Sequence, residues 1–131
     1  KVLDDPPVIV DVSHNPLGVK ALVESLRSPH VVVLAIAKDK DAAAMIHALS
    51  PLADPLILTR FTGERSMPAE ALAAAAGGTT HEVIPSLDAA IDRGFKLASV
   101  DRPLLITGSF FTAGQARALL VERYGARPLA F

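Results

Sequence analysis

The sequence contains no cysteine, which excludes disulfide staples and thiolate chemistry. Its 13 lysines and arginines nearly balance 14 acidic residues, leaving a formal net charge of −1. No clustered basic footprint is present to draw the chain to nucleic acid. No apolar run approaches the roughly 20 residues that a membrane-spanning helix needs. The longest, Val31 to Ala37, has the length of a strand. The opening residues Lys1-Val2-Leu3-Asp4-Asp5 lack the charged and apolar regions of a secretory signal. An initiator Met is missing too, so the chain reads as a piece of a longer one. A cytoplasmic protein with no nucleic-acid or membrane partner is expected.

Absent motifs narrow the chemistry further. No Gly-x-Gly-x-x-Gly follows the first apolar run, so a dinucleotide site of that kind is not supported. No Gly-x-x-x-x-Gly-Lys-Ser/Thr loop occurs, so the chain carries no triphosphate cradle of its own. No pair among the four histidines has metal-ligand spacing, and no metal site is expected.

What is present is apolar material in a regular order. The 131 residues fit one domain spanning 1–131, and 50% of them are hydrophobic. With a mean hydropathy of +0.37, the chain can build a core without staples. A domain of this size buries roughly two-thirds of the surface its unfolded chain exposes.

Val8 to Val12 is a β-branched run that reads as a buried strand. Asn15-Pro16 then opens a helix, because Asn caps well and Pro suits the first helical position. Val31 to Ile36 is apolar on both faces, as a central parallel strand would be. Asp41 caps a second helix, and Pro55 to Thr59 forms the third strand. A loop, Arg60 to Met67, leads to an Ala-rich helix opened by Pro68 and ended by Gly77-Gly78. His81 to Ile84 is a short fourth strand. Ser86 caps a helix whose inner face carries Leu87, Ala90, Ile91 and Phe95. Leu104 to Thr107 is the fifth strand, and Gly108-Ser109 turns into a last helix through Tyr124. Ala126 to Phe131 either adds an edge strand or hangs loose.

Alternating strands and helices predict a three-layer α/β/α, Rossmann-like, mostly parallel sheet of about five to six strands. Open α/β sheets bind ligands at the carboxyl ends of their strands. Three such ends carry more polar residues than a turn needs: Asp11 to Pro16, Lys38 to Asp41, and Thr107 to Phe111. Asp11, inside an apolar strand, needs hydrogen bonds from the next loop or from a ligand hydroxyl. His14 precedes a helix N-terminus, whose N–H groups and partial positive charge suit an anion such as phosphate. It reads either as a contributor to such a site or as an exposed loop residue. Lys38 and Lys40 either reach a carboxylate or polyphosphate or remain solvated. Ser109 lacks the Gly-x-Ser-x-Gly context of a nucleophile and reads as a substrate-binding or capping hydroxyl. Phe110 and Phe111 read as core.

Val10-Asp11-Val12-Ser13-His14-Asn15-Pro16 resembles the Asp-x-Ala-His-Asn-Pro segment that opens the C-terminal domain of folylpolyglutamate and dihydrofolate synthases, members of the Mur ligase superfamily. Asp39-Lys40-Asp41 is similar to that family's Asp-Lys-Asp. Thr107 to Arg117 resembles its Thr-Gly-Ser-Leu/Phe-Tyr/Phe-x-x-Gly-x-x-Arg ending. The three matches run in family order along nearly the whole chain. Three positions depart: Ser13 for Ala, Ala35 for a common Gly, and Phe111 for a frequent Tyr.

The resemblance implies an ATP-dependent acid–amino-acid ligase of folate biosynthesis and one-carbon metabolism. ATP phosphorylates a substrate carboxylate, and the amino group of glutamate attacks the acyl phosphate. ATP and Mg2+ would be held mainly by an upstream ATPase domain, against which this one packs. The family's other substrates are dihydropteroate or a reduced folate. By the same resemblance, Asp11, His14 and Asn15 would face the nucleotide. Lys40, Ser109 and Phe111 would bind the amino acid, and His14 and Lys40 would take part in catalysis. This domain alone would be inactive. Two alternatives stay open: a peptidoglycan-type Mur amino-acid ligase domain, and a non-catalytic α/β module that binds a small anion or a partner.

Overall fold

The computed structural model describes residues 3, 4 and 6–126. Eleven elements follow in order: β1 (Leu3–Asp4), β2 (Pro7–Val10), α1 (Pro16–Leu26), β3 (His30–Leu34), α2 (Ala42–Leu49), β4 (Ala53–Leu58), α3 (Ala69–Ala76), β5 (Glu82–Val83), α4 (Leu87–Leu97), β6 (Leu104–Thr107) and α5 (Phe110–Tyr124). They form one six-stranded sheet in the order β1-β2-β6-β3-β4-β5. All pairings are parallel except that of β1 with β2. The expected mostly parallel three-layer fold is therefore the observed one. The antiparallel β1 at the edge is an addition that the sequence did not announce.

Strand alternation sorts the core into two layers. Along β3 and its extension, Val31, Val33 and Ala35 face one side and Val32, Leu34 and Ile36 the other, all fully buried. The first set packs with α4 and α5 through Leu87, Ala90, Ile91, Ala116 and Leu120. The second packs with α1, α2 and α3 through Val19, Met45, Ile46, Leu49 and Leu72. This division follows from the direction of chain travel. The chain steps from β2 across to β3, β4 and β5, then returns to insert β6 between β2 and β3. Right-handed crossovers put the three outward helices on one face and the returning α4 on the other. In α4, Gly94 lets the helix lie close to the sheet: a Cβ there would come within 2.6 Å of Leu104 Cδ1.

Helix starts follow local chemistry. Asn15, Asp41, Ser86 and Ser109 each accept a hydrogen bond from a backbone N–H in the first turn, as their residue types predict. The edge strand or loose tail expected over Ala126 to Phe131 lies outside the described residues except for Ala126, which is buried and not in a strand. Among the described residues, no helix is long and apolar enough to cross a membrane.

Candidate functional site

The insertion of β6 brings the carboxyl ends of β2, β6 and β3 side by side, where chain direction switches. An open cleft of about 420 Å³ lies over these ends. His14 lines it from the β2–α1 loop, and Ala37, Lys38, Asp39 and Lys40 from the β3–α2 loop. Ser109, Phe110 and Phe111 line it from the start of α5, and Arg65 from the β4–α3 loop. The three strand ends marked in the sequence thus meet in one site.

Asp11 directly follows β2, its N–H donating to Ile106 O of β6 at 2.9 Å. Its Oδ2 accepts from Ser13 N at 2.7 Å and from the Thr107 hydroxyl at 3.0 Å. The carboxylate therefore ties the ends of β2 and β6 together beneath the site and does not line the cleft. Asn15 is likewise occupied as the α1 cap, accepting from Gly18 N at 2.8 Å. Between them, His14 stands in the cleft. Its Nδ1 lies 3.3 Å from Val12 O, a partner to which it can only donate. Its ring packs against Phe110 with centroids 5.3 Å apart.

The turn Gly108-Ser109 is fixed by the close approach of β6 to β3. Gly108 has φ +127, and a Cβ there would sit 2.2 Å from Ala35 O. Only glycine fits both the backbone angle and the space. Ser109, extended and 4% exposed, then caps α5. Its Oγ accepts from Thr112 N at 3.0 Å and lies 2.9 Å from Thr112 Oγ1. Thr112 spends its own hydroxyl proton on Ala35 O at 2.6 Å, so Ser109 donates to Thr112. The Ser109 proton is therefore engaged inside the protein. Of the two earlier readings, the capping role is the one observed, and Ser109 has at most acceptor capacity left for a ligand.

Phe110 and Phe111 do not belong to the core. They are 63% and 47% exposed, because the first turn of α5 rises beyond the end of β6. Phe111 stacks on buried Phe61 with centroids 5.2 Å apart and rings inclined by 16°. Lys38 and Asp39 are exposed and Lys40 is half-buried. Among the described residues, no ion pair engages Lys38, Lys40 or Arg65. Three cations thus face one carboxylate, Asp39, beside the N-terminus of α5. Such a site suits an anionic ligand.

Known proteins match this chain in sequence and fold. The model of the family described as Mur ligase, glutamate ligase domain, matches residues 1–110. The chain belongs to that family. It is 35% identical to the dihydrofolate synthase/folylpolyglutamate synthase of Mycobacterium tuberculosis over 87% of its own length and 28% of that protein's. A solved Mycobacterium tuberculosis folylpolyglutamate synthase complexed with ADP superposes with a TM-score of 0.84 at 32% identity, over 98% of this chain and 32% of the other. A bifunctional folylpolyglutamate synthase/dihydrofolate synthase with Mn, AMPPNP and L-glutamate bound gives a TM-score of 0.81 at 26% identity, over 92% and 30%. The chain thus spans about a third of the length of these relatives or less.

Within this Mur ligase-type domain, Arg65 is the cleft residue that sequence reasoning missed. It lies in a stretch read only as a loop, yet that loop is well structured. Lys38 N donates to Arg65 O at 2.8 Å and Met67 N to Ile36 O at 2.9 Å, flanking an antiparallel bridge between Ala37 and Ser66. No local pattern around Arg65 encodes those partners. Among the described residues, no group of three or more His, Cys, Asp or Glu is arranged to hold a metal ion.

Proposed function

We propose that this chain is the C-terminal domain of an ATP-dependent folylpolyglutamate/dihydrofolate synthase, acting in the cytoplasm. It closes over a nucleotide held by an upstream ATPase domain and helps bind glutamate for amide-bond formation through an acyl phosphate. The observation that carries the proposal is the cleft itself: Lys38, Lys40 and Arg65 gather with His14 at the switch point of a sheet whose family consists of ligases. The relatives named for folate substrates favour this branch over the peptidoglycan ligases.

In this reading His14 meets the nucleotide's transferred phosphoryl group. Asp11 and Asn15 set its loop by bracing β6 and capping α1. Lys40 and Phe111 meet the amino acid and its acceptor carboxylate, and Ser109 holds the turn that presents Phe111. Among the described residues no donor set fits a divalent cation, and in this reading the upstream domain would hold the Mg2+. The exposed apolar side chains Val12, Leu17 and Phe110 around this edge support packing against that domain. Closure would exclude water from the acyl phosphate and align the attacking amine.

The test is phosphate release by the full-length ligase with ATP, magnesium and glutamate, with and without dihydropteroate or a reduced folate. The isolated domain, expected to be inactive, serves as the blank. Turnover should require both glutamate and the pterin, and His14→Ala should lower it by about tenfold or more, ~1.4 kcal/mol of transition-state stabilisation. Turnover unchanged in the variant returns His14 to a loop role. Turnover without pterin dependence moves the assignment to another ligase of the family, and no turnover moves it to a binding module.

A further inference from the structure

A serine that caps a helix needs only a lone pair for the task, and its own proton is left to be placed elsewhere. In α5 the residue whose N–H is capped by Ser109 is Thr112, and it offers a hydroxyl as well. The two hydroxyl oxygens lie 2.9 Å apart, and the Thr112 proton is committed to Ala35 O at 2.6 Å. Donation therefore runs one way, from Ser109 to Thr112 to Ala35. Thr112 and Ala35 are fully buried, so water does not compete for this chain. Ala35 is in turn held to the end of β6, its N–H donating to Thr107 O at 3.3 Å.

This direction fixes the polarity of Ser109. Its Oγ donates to Thr112 Oγ1 and accepts from Thr112 N at 3.0 Å, which leaves a lone pair and no proton. Ser109 lines the same cleft as Lys38, Lys40 and Arg65. Those three side chains only donate, and they suit the oxygens of phosphates and carboxylates. Ser109 is their opposite. A phosphate or carboxylate oxygen would meet it lone pair against lone pair. Turning its proton outward would break a buried hydrogen bond to Thr112. What Ser109 can receive from a ligand is a donor.

We infer that Thr112 is a positioning residue that holds Ser109 as a hydrogen-bond acceptor, and that Ser109 thereby receives an N–H of the attacking amine. This assignment rests on the proposed ligase reading and adds to its site. When an amine attacks an acyl phosphate, the groups that gather at the reacting carbon are phosphate oxygens, carboxylate oxygens and the amine. Of these only the amine brings N–H groups. An acceptor for one of them turns the nitrogen lone pair toward the carbon, and it stabilises the positive charge that grows on nitrogen as the N–C bond forms. The contact is a hydrogen bond alone. The Ser109 proton stays between the two hydroxyls, and no bond is made or broken at Ser109.

The experiment is steady-state phosphate release by the full-length ligase at saturating ATP and pterin with glutamate varied. It is repeated with glutarate, which is glutamate without its amino group, as an inhibitor against glutamate. Ser109→Ala should raise the glutamate KM by about tenfold, the scale of losing one hydrogen bond to a charged group. Thr112→Val should raise it by about fivefold or more, while the KM for ATP moves by less than about twofold. Thr112→Ser keeps the hydroxyl and should recover most of that loss. Inhibition by glutarate should change by less than about twofold in either variant, because glutarate has no amine to offer. The double variant should match Ser109→Ala within about twofold, since Thr112 acts through Ser109. All variants are assayed well below their unfolding midpoints, because Thr112→Val also lowers stability. Effects that multiply in the double variant overturn the positioning role. Glutarate inhibition that weakens as much as glutamate binding overturns the amine contact and gives Ser109 to a carboxylate. Either result leaves the ligase reading intact, whereas a wild-type enzyme without glutamate-dependent turnover overturns both.

Discussion

Gly108→Ala tests whether the approach of β6 to β3 is as close as the site requires. Two costs add. The backbone at φ +127 is one that a side chain rarely adopts, and holding a non-glycine residue there costs about 1–3 kcal/mol. The new Cβ would also lie 2.2 Å from Ala35 O and 2.9 Å from Ala35 C, both backbone atoms that no rotamer change can move. Relieving such an overlap by shifting strands costs about 1–3 kcal/mol. The sum, about 2–6 kcal/mol, is a large part of the ~5–15 kcal/mol that holds a domain together. At this chain length each kcal/mol should lower Tm by about 3–5 °C.

The control is the same substitution six residues on. Gly114 lies in α5, is exposed, and a Cβ there meets nothing within 4 Å. Gly114→Ala should stabilise by about 0.5–1 kcal/mol through helix propensity. Urea unfolding followed by circular dichroism measures both, with equal m-values licensing the comparison. A Gly108→Ala variant within about 1 kcal/mol of wild type would refute the reasoning, because neither cost could then apply in full.

Two further outcomes follow from the same end of the sheet and from the far end of α5. Thr112→Val keeps the shape of a fully buried side chain but removes the donor to Ala35 O and the acceptor for Ser109, so it should cost about 1–3 kcal/mol in urea unfolding; a variant as stable as wild type would mean the hydroxyl chain contributes nothing. Tyr124, the only tyrosine, is held up to about 12 by burial and by donating its hydroxyl to the Asp92 carboxylate. Because the folded value is raised, the associated stability is full below the ordinary value of about 10 and is lost as pH climbs through about 12. Tyrosinate absorbance should therefore titrate late in the folded domain, and Tyr124→Phe should flatten the decline in stability across that window; a midpoint at the ordinary value would contradict the Asp92 bond.

What could be read from the sequence was whatever is encoded within a few residues. Asn15, Asp41, Ser86 and Ser109 cap the helices assigned to them because capping depends on the side chain and the next three N–H groups. The apolar run at Val31 to Ile36 is buried on both faces because a central parallel strand has helices on each. Strand β1 escaped notice because two residues have no period. The Phe110-Phe111 pair was misread because apolar character does not reveal that a helix's first turn overhangs the end of its strand. Arg65 carried no signal at all. Its place depends on Lys38 and Ala37 from another loop and on Gln115, 53 residues beyond its partner Thr62.

These distant contacts have an order of their own. Asp11 and Thr107 join the ends of β2 and β6 across 96 residues. Thr112, in the first turn of α5, joins Ala35 beyond β3 across 77. The Lys38–Arg65 backbone bond joins the loops after β3 and β4, and Gln115 ties that second loop back to α5. Every neighbouring pair of strand ends that borders the cleft is thus fastened by at least one bond beyond the strands themselves. Parallel strands with similar apolar runs could exchange places with little change in buried area. The native order satisfies the side chains of Asp11, Thr107 and Thr112 at these ends. The same bonds hold His14, Lys40 and Arg65 around one cleft. On this argument, removing one of them should disturb ligand affinity together with stability, rather than stability alone.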